Sequence, residues 1–400
     1  MSQPASSHAA VEPYLGDDVA PAGEPQTHRL DIRFTGSGSE YFRIWIVNLL
    51  LTIVTLSLYH PWAKVRRLRY FYGNTLVGGQ PLDFHGNPLA MLRGYLLVGA
   101  LVVLYSVAGH FSPTAGLFAF VVIAALWPAL LKSSMQFRLA NTSWRGLRFA
   151  FRGSLGGAYA ALLPMFVPGV IIVAAVAAMP DVQQPPAWFG IVYGVVFLLT
   201  MALLPWAWWR LKKYQHDHYA FGAWQTGLSA GCASVYGVFF KTIAVTMLAV
   251  VLLVVAIGIA AAVAWASSRL GGLGGAGGAI VGLGVGLLTL LTLQLVPRPF
   301  FVSRMQNLLW SRTGNREMRF ASTLRFWPLF GLTLKNWLLV AVTLGFYWPF
   351  AAVATRRLQI EAVSIVTRDE PDSLVDRYGA AGGDAAGDAA GDLLGIDIGL

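Results

Sequence analysis

Apolar and polar positions alternate in long blocks along this chain. Six stretches, at roughly 94–109, 114–131, 157–179, 188–209, 242–267 and 273–296, are mainly apolar over the ~20 residues that a helix needs to cross the hydrocarbon core. Two shorter apolar stretches flank them, near 44–60 and 332–350. Inside a bilayer only a backbone that satisfies its own hydrogen bonds survives, so each long stretch predicts a helix. The first apolar run begins only after about forty polar, Pro- and Ala-bearing residues, unlike a secretory leader. Between the helices the period changes. Gly146-Leu147-Arg148-Phe149-Ala150-Phe151-Arg152 alternates apolar and charged residues, the pattern of a half-buried strand. Gly78-Gly79 and Trp144-Arg145-Gly146 are placed to turn the chain between two such strands. A small β-hairpin in each long loop is the expectation, stacking into a sheet beside the membrane; an irregular amphipathic loop is the alternative.

Composition agrees with the pattern. Hydrophobic types make up 56% of the 400 residues and charged types 12%, half the soluble norm of about 25%. That excludes an ordinary soluble enzyme, a disordered chain and a nucleic-acid-binding domain, despite a formal net charge of +10. The single cysteine, Cys232, excludes an internal disulfide. The basic residues are unevenly placed. Loops 62–93, 132–156, 210–241 and 298–335 carry twenty-one Lys and Arg, whereas the opposite connections carry only Arg269. By the positive-inside rule the basic loops are cytoplasmic.

Comparing the chain with itself reveals a module. Pro61-Trp62, Arg66, Tyr70, Asn74-Thr75 and Phe84-His85-Gly86 have counterparts 67 residues on, at Pro128, Asn141-Thr142 and Phe151-Arg152-Gly153. Others lie 144 on, at Pro205-Trp206, Arg210 and Tyr214; 236 on, at Pro297; and 288 on, at Pro349. Asn48, Thr55-Leu56 and Tyr59 likewise match Asn336, Thr343-Leu344 and Tyr347, and Phe34-Thr35-Gly36 repeats the closing part. The fold class expected is an all-α polytopic membrane protein, with six to eight transmembrane helices from repeated modules and short cytoplasmic β-hairpins. Equivalent module ends belong on one side of the membrane. The short stretches 44–60 and 332–350 are therefore expected to dip into the bilayer without crossing; full crossings, eight in all, are the alternative. A tail over 1–28, a membrane domain over 29–366 and a low-complexity acidic tail over 367–400 divide the chain.

These residues resemble a family. Phe34-Thr35-Gly36, Tyr41-Phe42, Asn48-Leu49-Leu50-Leu51-Thr52, Tyr59-His60-Pro61-Trp62-Ala63-Lys64-Val65-Arg66, Arg69-Tyr70 and Asn74-Thr75 are similar to the YjgN family of bacterial inner-membrane proteins, as is His218-Tyr219-Ala220-Phe221-Gly222. The resemblance covers about residues 30 to 366. It implies a multi-pass inner-membrane protein of uncharacterised molecular function and brings no catalytic or binding residues.

The residues themselves offer little chemistry. No Asp or Glu falls inside an apolar stretch, which weighs against a proton-driven pump. No phosphate-cradling Gly-rich loop and no nucleophile elbow occur. His216-Asp217-His218 is the one cluster of metal-ligand types. Its histidines point apart, so a site would need further ligands such as His85. An ordinary polar loop is the simpler reading, and neither an enzyme, a cofactor nor a metal is expected. Gly274, Gly278, Gly282 and Gly286 recur every four residues and suit close helix packing. Pro164, Pro168 and Gly169 interrupt another span; a tolerated kink is the simpler reading, freed carbonyls lining a cavity the other. Trp62, Trp206, Trp208 and Trp209 beside Lys and Arg form an interfacial belt. Membrane lipids are the expected partners, with anionic head groups at the cytoplasmic face. Protein partners are not legible. Transport or permeation of a small solute or lipid is the first function expected; a lipid-organising protein with a platform for partners is the second.

Overall fold

Three of the helices that lead into strands are stopped by their own side chains. Asn74 and Asn141 donate back to the Tyr70 and Phe137 carbonyls, and the hydroxyls of Thr75, Thr142 and Thr313 donate to carbonyls one turn earlier. Such back-bonding satisfies the last carbonyls of a helix, which have no intrahelical partner. In each case a strand follows at once. Gly78-Gly79 and Arg145-Gly146 both have positive φ, as two-residue hairpin turns require.

The computed structural model describes residues 27–181, 183–269, 284, 286 and 295–368. Strands β1 (His28–Phe34), β2 (Thr75–Val77), β3 (Gln80–Phe84), β4 (Thr142–Trp144), β5 (Leu147–Phe151), β6 (Tyr219–Phe221), β7 (Trp224–Gln225), β8 (Gly227–Leu228), β9 (Thr313–Gly314), β10 (Met318–Ser322) and β11 (Val363–Thr367) form one antiparallel sheet. Its order is β7-β6-β5-β4-β3-β2-β1-β11-β10-β9-β8. The two end strands are consecutive in the chain, separated by Thr226 alone, so the sheet returns on itself as a ring. Several strands divide their bonding between neighbours: His28–Asp31 pair with β11, and Ile32–Phe34 with β2. Segments near the two ends of the described residues are thereby joined.

The helices are α1 (Gly38–Val54), α2 (His60–Gly73), α3 (Pro88–Phe111), α4 (Pro113–Ala140), α5 (Leu155–Ala177), α6 (Ala187–His216), α7 (Cys232–Arg269), α8 (Pro297–Ser311), α9 (Phe326–Val342) and α10 (Trp348–Glu361). Among the described residues, five are long and apolar enough to cross a membrane: α3, α4, α5, α6 and α7. Their apolar side chains face outward; Val103, Ile191, Leu198 and Val254 are more than half exposed. That reverses soluble burial and suits a lipid surround.

These findings correct the expected fold class. The protein is not plainly all-α with only short hairpins, because six of the ten strand pairings join segments separated by at least one helix and unite all the strands in one eleven-stranded sheet. A local pattern reveals a strand's hairpin partner and not its second neighbour. Among the described residues there are five candidate spans, against the six to eight expected. The stretch 273–296 lies almost wholly outside the described residues, as do the tails 1–26 and 369–400. The short stretch 44–60 is interrupted at its end: α1 stops at Val54, Leu56 and Ser57 take positive φ, and Asn48 donates across the bend to the Ala63 carbonyl of α2 at 3.4 Å. Stretch 332–350 does the same through Leu344, Gly345 and an Asn336–Ala351 bond, also 3.4 Å. In both, a threonine hydroxyl, Thr55 or Thr343, accepts from the tyrosine N–H four residues on.

Where strands hand over to helices, an aromatic ring lies against a glycine. A β-carbon on Gly153 would meet the Phe151 ring and the Tyr214 hydroxyl, each at 2.5 Å. We expect Gly153→Ala to destabilise the protein by about 1–3 kcal/mol through overpacking. Gly156→Ala, one turn on in open space, serves as the control, and thermal unfolding in detergent compares the two.

Candidate functional site

The inner faces of α2, α4, α8 and α10 converge above the ring on a chamber of about 580 Å³. Arg67 of α2, Arg138 of α4 and Arg356 of α10 line it, with Tyr72, Gln306 and Gln359. No carboxylate is among its described lining residues. Gln306 is fixed by donating to the Gln359 carbonyl at 2.8 Å, which ties α8 to α10. Arg356 keeps an exposed surface although protein crowds it. A side chain facing a half-open cavity has that combination. Burial, then the charges of Arg138 and Arg67, hold its pKa below the usual guanidinium value, with the Tyr72 phenol opposing. Beside Arg138, burial pushes the Tyr219 phenol up to about 12.

The ring side of the chamber is closed. Val77, Trp144 and Phe221 pack together with Leu30, Ile32, Leu82, Leu147, Phe149 and Ile365, side chains from seven strands. The Trp144 indole donates to the Val77 carbonyl at 3.1 Å. The ring centre is therefore an apolar plug. On the opposite flank a groove of about 400 Å³ runs between α8, α9 and α10. Arg298, Asn336 and Thr355 supply its polar parts, and Leu329, Trp337 and Val340 its apolar wall. Groove and chamber share Trp348, Ala352, Arg356 and Gln359.

The motif residues fall mainly on the frame around this site. Pro61, Pro128, Pro205 and Pro349 are buried. Proline frees carbonyls in the preceding turn; Tyr159 and Tyr236 of the adjacent helices donate to those of Ala125 and Ala202. Pro297 opens α8 half-buried, whereas Pro299, missed in the sequence, is buried and lines the groove. The signal was present: Pro299, not Pro297, precedes its strand by the same interval as the others. Arg66 lies over Tyr59 and Arg210 over Trp206, at 5.7 and 5.1 Å, while Trp62 stacks on Tyr59. The Tyr70 hydroxyl, its pKa pushed up to about 12 by burial and then by Glu40, stays protonated and donates to the Ser37 carbonyl at 2.7 Å. Asn74 and Asn141 cap helices, as above. Gly274, Gly278 and Gly282 lie outside the described residues; Gly286 is helical and exposed, with open space at its β-position.

The His216-Asp217-His218 cluster is consumed by the ring. His216 Nδ1 bonds Thr313 Oγ1 at 2.9 Å, and His218 Nδ1 donates to the Tyr214 carbonyl at 2.7 Å. The Asp217 carboxylate accepts from the Leu228 N–H at 2.6 Å and pairs with Lys213 at 2.9 Å. His85 bonds Ser143. Among the described residues no three His, Cys, Asp or Glu side chains converge. Arg67, Arg138 and Arg356 were missed because a lone arginine in a basic loop looks like any other. Only the ring brings three loops to one axis.

The plug yields an expectation. Trp144→Ala removes its largest buried side chain and is expected to cost about 3–5 kcal/mol. The thermal midpoint of the detergent-solubilised protein would fall clearly below that of Trp327→Ala, whose side chain is 75% exposed.

The family DUF898, described as a bacterial protein of unknown function, matches residues 29–393. The inner membrane protein YjgN of Salmonella typhimurium is 32% identical over 181 residues, 44% of this chain and 45% of that protein. The protein of the same name from Escherichia coli strain K12 is 31% identical over 126 residues, 31% of each chain. The chain thus spans less than half the length of the curated relatives it matches. No solved structure matches it.

Proposed function

The chain belongs to the bacterial family DUF898, the YjgN family, and from that premise we propose that this multi-pass inner-membrane protein transports a small solute or lipid. One observation carries the reading. The lateral groove and the central chamber share Arg356, Gln359, Trp348 and Ala352, so a ligand would pass between them without leaving the protein. An apolar wall at Trp337 and Val340, below which polar groups wait, suits an amphiphile taken from the bilayer. No catalytic step belongs to this reading.

An internal repeat supports it. The buried prolines 61, 128, 205, 299 and 349 each stand fourteen residues before the first residue of β2, β4, β6, β9 and β11. We read this as five modules around one axis, the fifth assembled from the two chain ends, with the ring on the cytoplasmic side. Repeats about a central site are a common plan of transporters. One observation favours a second reading, a lipid-organising protein with a partner platform: the apolar plug closes the ring centre.

Ala352 is the small residue common to both cavities. In cells lacking the protein, wild type is expected to restore the metabolite and lipid profile of the membranes, and Ala352→Trp to insert normally yet fail. If deletion leaves the profile unchanged, the transport reading falls. Orientation is checked separately with Arg148→Cys in the ring and Gln184→Cys between α5 and α6, in a Cys232→Ser background. Only the second is expected to react with an impermeant thiol reagent in intact cells.

A further inference from the structure

Two of the three arginines that line the chamber, Arg67 and Arg356, face no described counter-charge. Arg67, Arg138 and Arg356 line it together, and no described lining residue carries a negative charge. Arg67 and Arg356 have neither an ion pair nor a hydrogen bond to another described side chain. Glu361, close in sequence to Arg356, is engaged elsewhere: its carboxylate accepts the Phe34 N–H at 3.1 Å. Like charges gathered in a confined space are costly unless an anion answers them. Guanidinium groups, with planar forks of N–H donors, match the oxygens of a phosphoryl group. Tyr72, Gln306 and Gln359 add neutral polar groups to the wall.

We propose that this chamber is a binding site for a phosphoryl-bearing anion, held by Arg67, Arg138 and Arg356. Its volume of about 580 Å³ lies in the ~300–1,000 Å³ range of sites for small organic ligands. The anion is either free in solution, as inorganic phosphate or a small phosphate ester, or the head group of a lipid reaching Arg356 through the groove. This deepens the transport reading and rests on it only for the route by which the ligand arrives.

Binding is measured on the purified full-length chain by titration calorimetry. One arm uses inorganic phosphate in detergent. The other uses nanodiscs of phosphatidylcholine with or without a short-chain phosphatidic acid. Saturable binding in the first arm identifies a free anion, in the second alone a lipid head group; either supports the site. Arg67→Gln and Arg356→Gln are each expected to weaken binding at least about tenfold, the size of one lost charge-assisted hydrogen bond. Arg356→Lys is expected to lose less. Arg316→Gln, an equal charge loss in the exposed turn between β9 and β10, is expected to change nothing. Absence of saturable binding in both arms, or equal binding by the Arg→Gln variants, overturns the proposal. Should those variants fail to fold, Gln306→Glu places a carboxylate in the chamber, and undiminished binding to it overturns the proposal as well. Intact binding in a protein that moves nothing across vesicles would remove the transport reading and leave the site standing.

Discussion

A sheet edge is a row of unpaired N–H and C=O groups, and this structure depends on reducing its edges to two strands of two residues each, β7 and β8, that meet at one seam. Strands of two to seven residues are too short to hold as separate hairpins. They persist because nine of the eleven are bonded on both sides, and the two end strands, β7 and β8, follow one another in the chain at one seam. There Thr226 separates two strand fragments, β7 held by β6 and β8 by β9. Its hydroxyl donates to the His216 carbonyl at 2.5 Å and its N–H to the Tyr219 carbonyl at 2.8 Å. Asp217 takes the Leu228 N–H, and Gln225 donates back to the Asp217 carbonyl. A polar sequence with metal-ligand types thus serves a mechanical end, turning an open sheet into a ring.

Ring closure explains the rest of the frame. Helices returning to a common ring have their inner faces held at fixed angles, so apolar strand residues meet as a plug and helix residues one layer above meet around a chamber. Buried prolines at the approaches free carbonyls, which tyrosines of neighbouring helices recapture. Aromatic–glycine contacts such as Phe151 on Gly153, sealed by Tyr214, lock each strand exit onto the helix beside it.

Local features were legible in the sequence because their causes are local. Five spans followed from apolar length, the Gly78-Gly79 and Arg145-Gly146 turns from backbone freedom, and the Asn-Thr pairs from a recurring motif whose capping role the structure explains. The ring was not legible, since pairing such as His28 with Thr367 joins residues that no local pattern relates. The chamber followed the ring into obscurity: Arg67, Arg138 and Arg356 share no motif and become one site only through closure. Register also mattered. Counting from Pro297 missed by two residues Pro299, the buried proline that stands fourteen residues before β9.

The pairing of β1 with β11 sets a timetable for biogenesis. The strand His28–Phe34 emerges from the ribosome first, and its partner Val363–Thr367 more than three hundred residues later. Contacts that distant carry a large loop-closure entropy and form late. Until then β1 has one face of its backbone unpaired, an exposed template for misassembly. Membrane insertion of the intervening helices shortens the search, because it tethers both strands to the same side of the bilayer before they meet. The last step of folding is then a two-dimensional encounter, and a nascent chain stalled before Val363 carries an open edge that quality-control proteases can recognise.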